Sequence, residues 1–120
     1  MIDEIEKEIQ DKGLTALRVT PDDIEANIVA ENYFDAFSAS ALGTAKYNPG
    51  HRDEHVDALR LLTFCVLTLR NGFMVTGESA CVSRENFDVE IARKIARQNA
   101  VDKMRPLMGY ELKQRFHEKK

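Results

Sequence analysis

Between Thr68 and Ile91 the chain reads TLRNGFMVTGESACVSRENFDVEI, which sets a carboxylate, a hydroxyl and a thiol close together at Glu78, Ser79 and Cys81. Ser79 or Cys81 would suit a nucleophile, and Glu78 an acid–base group. Nucleophilic catalysis also needs a base within hydrogen-bond reach, most often histidine. The histidines are His51, His55 and His117, in a loop-like stretch and near the tail. No base is placed, so no residue is assigned as catalytic and the chain is not read as an enzyme. A strand end explains the same residues, with Gly77 as a bulge or a point of close packing.

Binding is the subtler chemistry of this stretch. ESACVSREN runs into a helix start, where free backbone N–H groups favour an anion. Ser79 and Ser83 add hydroxyl donors, and Arg84, Arg93 and Arg97 add positive charge. With Glu78 they form the candidate ligand-binding set, suited to an anionic, nucleotide-like molecule. A helix capped by its own Ser83 or Asn86 needs no such ligand, and Glu78 and Glu85 oppose an anion. The stretch HRDEH, His51 to His55, matches a zinc-protease spacing with Glu54 as the base. It follows Pro49-Gly50, however, and brings no third ligand. A solvated charged turn accounts for it, and neither a metal nor a cofactor is expected.

The elements that must position these groups can be read from periodicity. Ile2, Ile5 and Ile9 space a first amphipathic helix ending at Gly13. LTALRV follows as an extended connector or short strand. Thr20, Pro21, Asp22 and Asp23 sign a helix start, and Ile24, Ile28, Tyr33, Phe34 and Phe37 extend that helix to about residue 38. Residues 39–54 read as a long surface loop.

Asn71-Gly72 between apolar runs predicts a two-residue hairpin turn. In that register Cys65, Leu67, Leu69, Met74, Glu78 and Ala80 share one face. Leu62, Phe64, Val66, Phe73, Val75 and Cys81 share the other, so the two cysteines point apart. Leu59, Leu62, Val66 and Leu69 also fit helical spacing, which leaves open a helix from about Val56 into the first half of this segment. A long C-terminal helix follows, with Ile91, Ile95 and Met104 as its stripe, assisted by Ala92, Ala96 and Ala100. Pro106 should kink or break it, with Gly109 opening a final short helix. The fold class is therefore α+β: N-terminal helices, a central antiparallel hairpin and a long C-terminal helix. The expected organisation is one domain over 1–120, with a helical N-terminal segment (1–38), a loop (39–54), and the hairpin and C-terminal helices (55–120).

Both hairpin faces are apolar, so each needs a cover: a helix, or a second copy of the chain. With 120 residues, a net charge of −3 and a pI near 5.6, the chain is poorly suited to nucleic acid, which demands clustered Lys and Arg. It holds no run of about 18 apolar residues to cross a membrane. Its acidic N-terminus is unlike a signal peptide, and two cysteines read as reduced thiols. A cytoplasmic setting in the host cell is expected.

The run LLTFCVLTLRNGFMVTGESACVSRENFDVEIARKIARQNAVDKMRPLMGYELKQR, from Leu61 to Arg115, resembles a family of small tailed-phage and prophage proteins. That family is named for gene 49 of coliphage N-four and gene 66 of Shigella phage Sf-six. The pieces NGF-VTGESAC, ENFD-EI--KIA and PLMGY carry the likeness, and VTPDDIEANIVAENYF extends it more weakly. The chain departs at Arg84, where members often have Pro, at Ala92, often Gly, and at Arg105, often Trp. The resemblance implies a phage or prophage origin and an accessory role, and carries over no catalytic residue. The expected function is non-catalytic binding, as a homo-oligomer engaging a host or phage component. The alternative is a small anionic ligand held at the hairpin–helix junction, sequestering a host signal.

Overall fold

The computed structural model describes residues 4–119. Ile2 of the first apolar stripe and the terminal Lys120 lie outside the described residues. In order, the chain forms α1 (Glu4–Asp11), α2 (Pro21–Asn27), β1 (Ile28–Asp35), α3 (Ala36–Ser40), α4 (Arg52–Leu59), β2 (Leu62–Leu69), β3 (Met74–Ala80) and α5 (Val89–Glu118). A single 3-10 turn, Arg84–Asn86, precedes α5. The strands form one antiparallel sheet in the order β1-β2-β3.

The α2 start is as its residues dictate. Thr20 Oγ1 accepts from Asp23 N at 3.1 Å, and Asp23 Oδ2 accepts from Thr20 N at 2.9 Å, a reciprocal capping box with Pro21 in the first turn. The helix stops at Asn27, though, and the expected continuation is instead β1, with Phe37 in the separate short helix α3. Ile28 and Val29 are β-branched and Tyr33 and Phe34 aromatic, which suits a strand. What decides is pairing: Asn32, Tyr33 and Phe34 lie opposite Val66, Cys65 and Phe64 of β2. A helix here would leave one edge of β2 unpaired. LTALRV forms no strand, and the stretch read as loop 39–54 ends inside α4, which begins at Arg52. The helix suspected near Val56 is therefore real, but it ends at Leu59 before β2 begins.

The hairpin turn falls at Asn71-Gly72 but holds three residues, not two. Leu69 N donates to Phe73 O at 2.8 Å and Gly72 N to Leu69 O at 2.9 Å. Gly72 has φ +89, the left-handed residue that a three-residue loop requires. The extra residue shifts the register by one, which turns every β3 side chain to the opposite face. Val75 and Gly77 thus lie opposite Leu67 and Cys65, and Met74, Thr76 and Glu78 lie opposite Thr68, Val66 and Phe64. The β2 half of the expected faces stands and the β3 half is exchanged. Cys81, two residues beyond Ser79 and just past the end of β3, lines the same groove as Ser79 and the start of α5, on the side of the sheet that carries Cys65; both thiols are free.

The inner face carries Cys65, Leu67, Leu69 and Val75, and α5 lies over its β2–β3 half. The contact is made by the smallest side chains on the helix. Ala92, Ala96 and Ala100 recur every four residues, with Val101 and Met104 beyond them, and all five are buried. Opposite them Gly77 has no side chain, and a Cβ there would meet Ala96 O at 2.0 Å and Ala100 N at 2.4 Å. Ile91 and Ile95, expected in this stripe, are turned away and half exposed. Each precedes a buried alanine by one residue, about 100° around the helix. Ile24 of α2 completes the core beside Val101 and Met104. Pro106 and Gly109 lie within α5, so the final short helix expected from Gly109 is its last turns.

The outer face carries Leu62, Phe64, Val66 and Thr68 from β2, Met74, Thr76, Glu78 and Ala80 from β3, and Ala30, Asn32 and Phe34 from β1. The β3 members are exposed, Met74 to 58%, and Phe34 remains 40% exposed although its ring stacks on Phe64 with centroids 5.4 Å apart. At the Leu62 end α3 meets α4, and the Arg60 guanidinium sits 3.9 Å from the Phe37 ring centroid.

Candidate functional site

The six candidate ligand residues do not converge. Ser79 and Ser83 line one groove of about 350 Å³ together with Cys81, Asn86, Asp88 and Ile91. Arg84 leaves it to meet Asp57 of α4 at 3.0 Å. The Glu78 side chain belongs to the outer face of β3, with Lys103 Nζ at 4.0 Å. Arg93 and Arg97 stand on the opposite flank of α5, toward β1. No lysine or arginine lines the Ser79–Ser83 groove among the described residues. The α5 start is also occupied: Asp88, not Ser83 or Asn86, is its N-cap, and Asp88 Oδ1 accepts from Ile91 N at 3.0 Å. A carboxylate thus takes the place where an anion would bind. Cys81 Sγ donates to Ser83 O at 3.1 Å.

Arg97 is the hub of a polar cluster that binds three elements together. Its guanidinium donates to Glu25 of α2 at 2.7 and 3.1 Å and to Glu31 of β1 at 2.9 Å. Tyr33 Oη donates to the same Glu31 oxygen at 2.7 Å, and Arg93 lies 5.9 Å from the Tyr33 ring centroid. The hydrogen bond from Arg97 holds the Glu31 carboxyl below its ordinary range, and the Tyr33 hydroxyl is pushed up by burial and by Glu31. Burial likewise raises the Cys65 thiol, which is fully enclosed. Arg97 is held by two carboxylates within the chain, so the cluster acts as a clamp between α2, β1 and α5. Sequence reading missed Glu25, Glu31 and Tyr33 as a polar cluster because a helical period masks β1; the β-branched pair Ile28-Val29 was the available signal.

A second clamp ties α1 to the connector. Arg18 donates to both oxygens of the buried Glu6 at 2.6 and 2.9 Å, and Gln10 adds a bond at 2.7 Å. The His51–His55 stretch gathers no metal site: His51 stands at the start of α4 and its Nδ1 lies 3.2 Å from Glu54 Oε2. Among the described residues no group of three or more His, Cys, Asp and Glu is placed to hold a metal ion.

The outer face of the sheet keeps apolar side chains partly or largely exposed, as do several helix and loop positions such as Leu17, Val82 and Tyr110. Its margin is charged, with Glu78 on β3 and Lys103 Nζ of α5 4.0 Å from it. No helix among the described residues is long and apolar enough to cross a membrane.

No curated protein matches the chain, and no solved structure does. A family model does match, over residues 19–116, from just before α2 to the last turns of α5. The chain belongs to the Phage protein (N4 Gp49/phage Sf6 gene 66) family.

Proposed function

We propose that this phage-family protein is an accessory protein of a phage or prophage, working in the host cytoplasm by non-catalytic binding. It acts as a homo-oligomer that engages a host or phage component, and the outer face of the sheet is its binding surface. One observation carries this reading: the chain covers the inner face of its sheet with α5 and leaves the equally apolar outer face open. An apolar sheet face gains its stability by being covered. In support, Cys81 Sγ donates to the Ser83 carbonyl rather than to His55, which lines a groove with it, and Arg84 and Arg97 are engaged elsewhere.

Native mass spectrometry of gently purified protein tests this reading. The wild type is expected to carry a protein component at fixed stoichiometry, either its own copy or another chain. Val66→Lys on the outer face should release it, and the double variant Ser79→Ala, Ser83→Ala should keep it. A small-molecule mass lost on denaturation, and abolished by the serine substitutions, would replace this reading with that of a ligand binder.

A further inference from the structure

We propose that the groove between the α1–α2 connector and the last turns of α5 binds a monoanionic amphiphile, a carboxylate carried on an apolar chain. The site is separate from the outer sheet face and stands whether or not that face binds another molecule. Its lining, its charge and an absent side chain lead to it.

The lining follows from the helix period. The row of every fourth residue that seats α5 on the sheet, Ala92 to Met104, runs on through Met108, Leu112 and Phe116. The hairpin turn reaches as far as Leu107 and Met108. Beyond them the row meets the connector, where Leu17 and Val19 line a groove of about 570 Å³ together with Leu112 and Phe116. No strand residue lines it among the described residues. Leu17 stays 60% exposed and Phe116 45%, so the connector covers the row without sealing it. The volume falls in the ~300–1,000 Å³ range of single-ligand sites.

Charge sets the class of ligand. The chain has 20 Asp and Glu against 17 Lys and Arg, yet Arg18, Arg105 and Lys113 line this groove and no acidic residue does among the described residues. The three cations are not equally available. Arg18 donates to both oxygens of Glu6 at 2.6 and 2.9 Å. Arg105 has a loose partner, Asp102 Oδ1 at 3.8 Å. Lys113 pairs with no carboxylate among the described residues. One unpaired ammonium beside a loosely paired guanidinium suits a head with a single negative charge, and a carboxylate matches the planar fork of Arg105.

Gly109 supplies the room. It lies four residues from both Arg105 and Lys113 on the same flank of α5, and a Cβ there would meet nothing within 4 Å. Helical side chains lean toward the helix N-terminus, which sends Lys113 back over this open space. The head thus rests above Gly109, between Lys113 and Arg105, with the tail along Leu112, Phe116 and Leu17. Glycine weakens a helix interior, and Gly109 is neither a left-handed residue nor, like Gly77, pressed against a neighbour. The open floor is what it provides.

Amide NMR of the full chain, titrated with sodium decanoate at low salt, tests this. Saturable shifts confined to residues 16–19 and 105–116 are expected. Decanoate should bind about fivefold tighter than decanol, the scale of a half-exposed ion pair, and Lys113→Gln should bring that ratio close to one. Gly109→Leu should fill the floor and abolish binding in a folded chain, whereas the double variant Ser79→Ala, Ser83→Ala should change nothing. Should Gly109→Leu fail to fold, the ratio in Lys113→Gln decides alone. No saturation at millimolar decanoate overturns the inference, as does a wild-type ratio of one or a ratio that Lys113→Gln leaves unchanged. Binding that the serine substitutions abolish belongs to the start of α5 and overturns it too. Shifts centred on Phe64, Val66 and Met74 would put the ligand on the outer sheet face: the inference falls, and that face remains a binding surface.

Discussion

Gly77→Ala puts the seating of α5 to the sharpest test. The added Cβ would sit 2.0 Å from Ala96 O, 2.4 Å from Ala100 N and 3.0 Å from Asn99 C. All three are helix backbone, so no side chain can rotate out of the way. Restoring an ordinary contact near 3.4 Å requires α5 to lift by roughly 1.4 Å, and a gap of about 1 Å already forfeits up to half of a dispersion contact. Ala92, Ala96, Ala100 and Met104 would all lose contact together. Overpacking costs about 1–3 kcal/mol, and a whole helix displaced should reach the top of that range, against a total stability on the order of 10 kcal/mol. A loss of about 3 kcal/mol lowers Tm by roughly 10–15 °C in a domain of this size. Circular dichroism melts would measure it. Gly109→Ala is the matched control: it lies inside α5 with nothing within 4 Å and should stabilise by about 0.5–1 kcal/mol. If Gly77→Ala melts within a few degrees of wild type, α5 does not rest on β3 as described.

Three further outcomes follow from the polar contacts. Asp88→Ala should cost about 1 kcal/mol through loss of the α5 cap, whereas Ser83→Ala should leave the melting temperature unchanged, since Ser83 makes no cap bond. Glu31, Glu6 and Asp23 are all held below their ordinary carboxyl range, by hydrogen bonds from Arg97, from Arg18 and from the Thr20 backbone respectively. A folded-state pKa below the unfolded one gives stability that is complete above the unfolded value and is lost as pH falls through the folded one. Urea midpoints should therefore plateau above about pH 4.5 and decline below it, and Arg97→Met should lower the plateau and flatten the decline. In the native protein a thiol reagent should modify Cys81 well before Cys65, which is buried and whose thiol is harder to ionise; equal rates would contradict the inner-face position of Cys65.

How far the sequence carried the fold differs from element to element. The start of α2 was legible because capping is local: Thr20, Pro21 and Asp23 act within one turn. Its end was not, because Ile24, Ile28 and the aromatics at 33, 34 and 37 satisfy a helical period as well as a strand. Pairing with β2, far along the chain, decided between them. The hairpin turn falls where Asn-Gly puts it, yet Asn-Gly serves loops of two and of three residues, and that single residue sets which face of β3 is buried. In α5 the isoleucines outweigh the alanines on any hydrophobicity reading; only the absence of a side chain at Gly77 explains why the alanines face the sheet. The polar sites suffered most. Arg97 was singled out for a ligand, but its partners Glu25 and Glu31 became visible as such only once β1 was a strand.

The close seating of α5 has a consequence at the margin of the sheet. An alanine adds one methyl group to the core, worth about 0.8 kcal/mol, so the three alanines hold the helix less by area than by proximity. Proximity brings the flanks of α5 within reach of the strands on both sides. Toward β1, Arg97 reaches Glu31; beyond β3, Asn99 reaches the Glu78 carbonyl and Lys103 Nζ approaches Thr76 Oγ1 at 3.4 Å. A bulkier stripe would hold the helix higher, and these side chains would fall short of the edge strand. The same small residues that build a thin core therefore also bring side chains of α5 to the β3 edge.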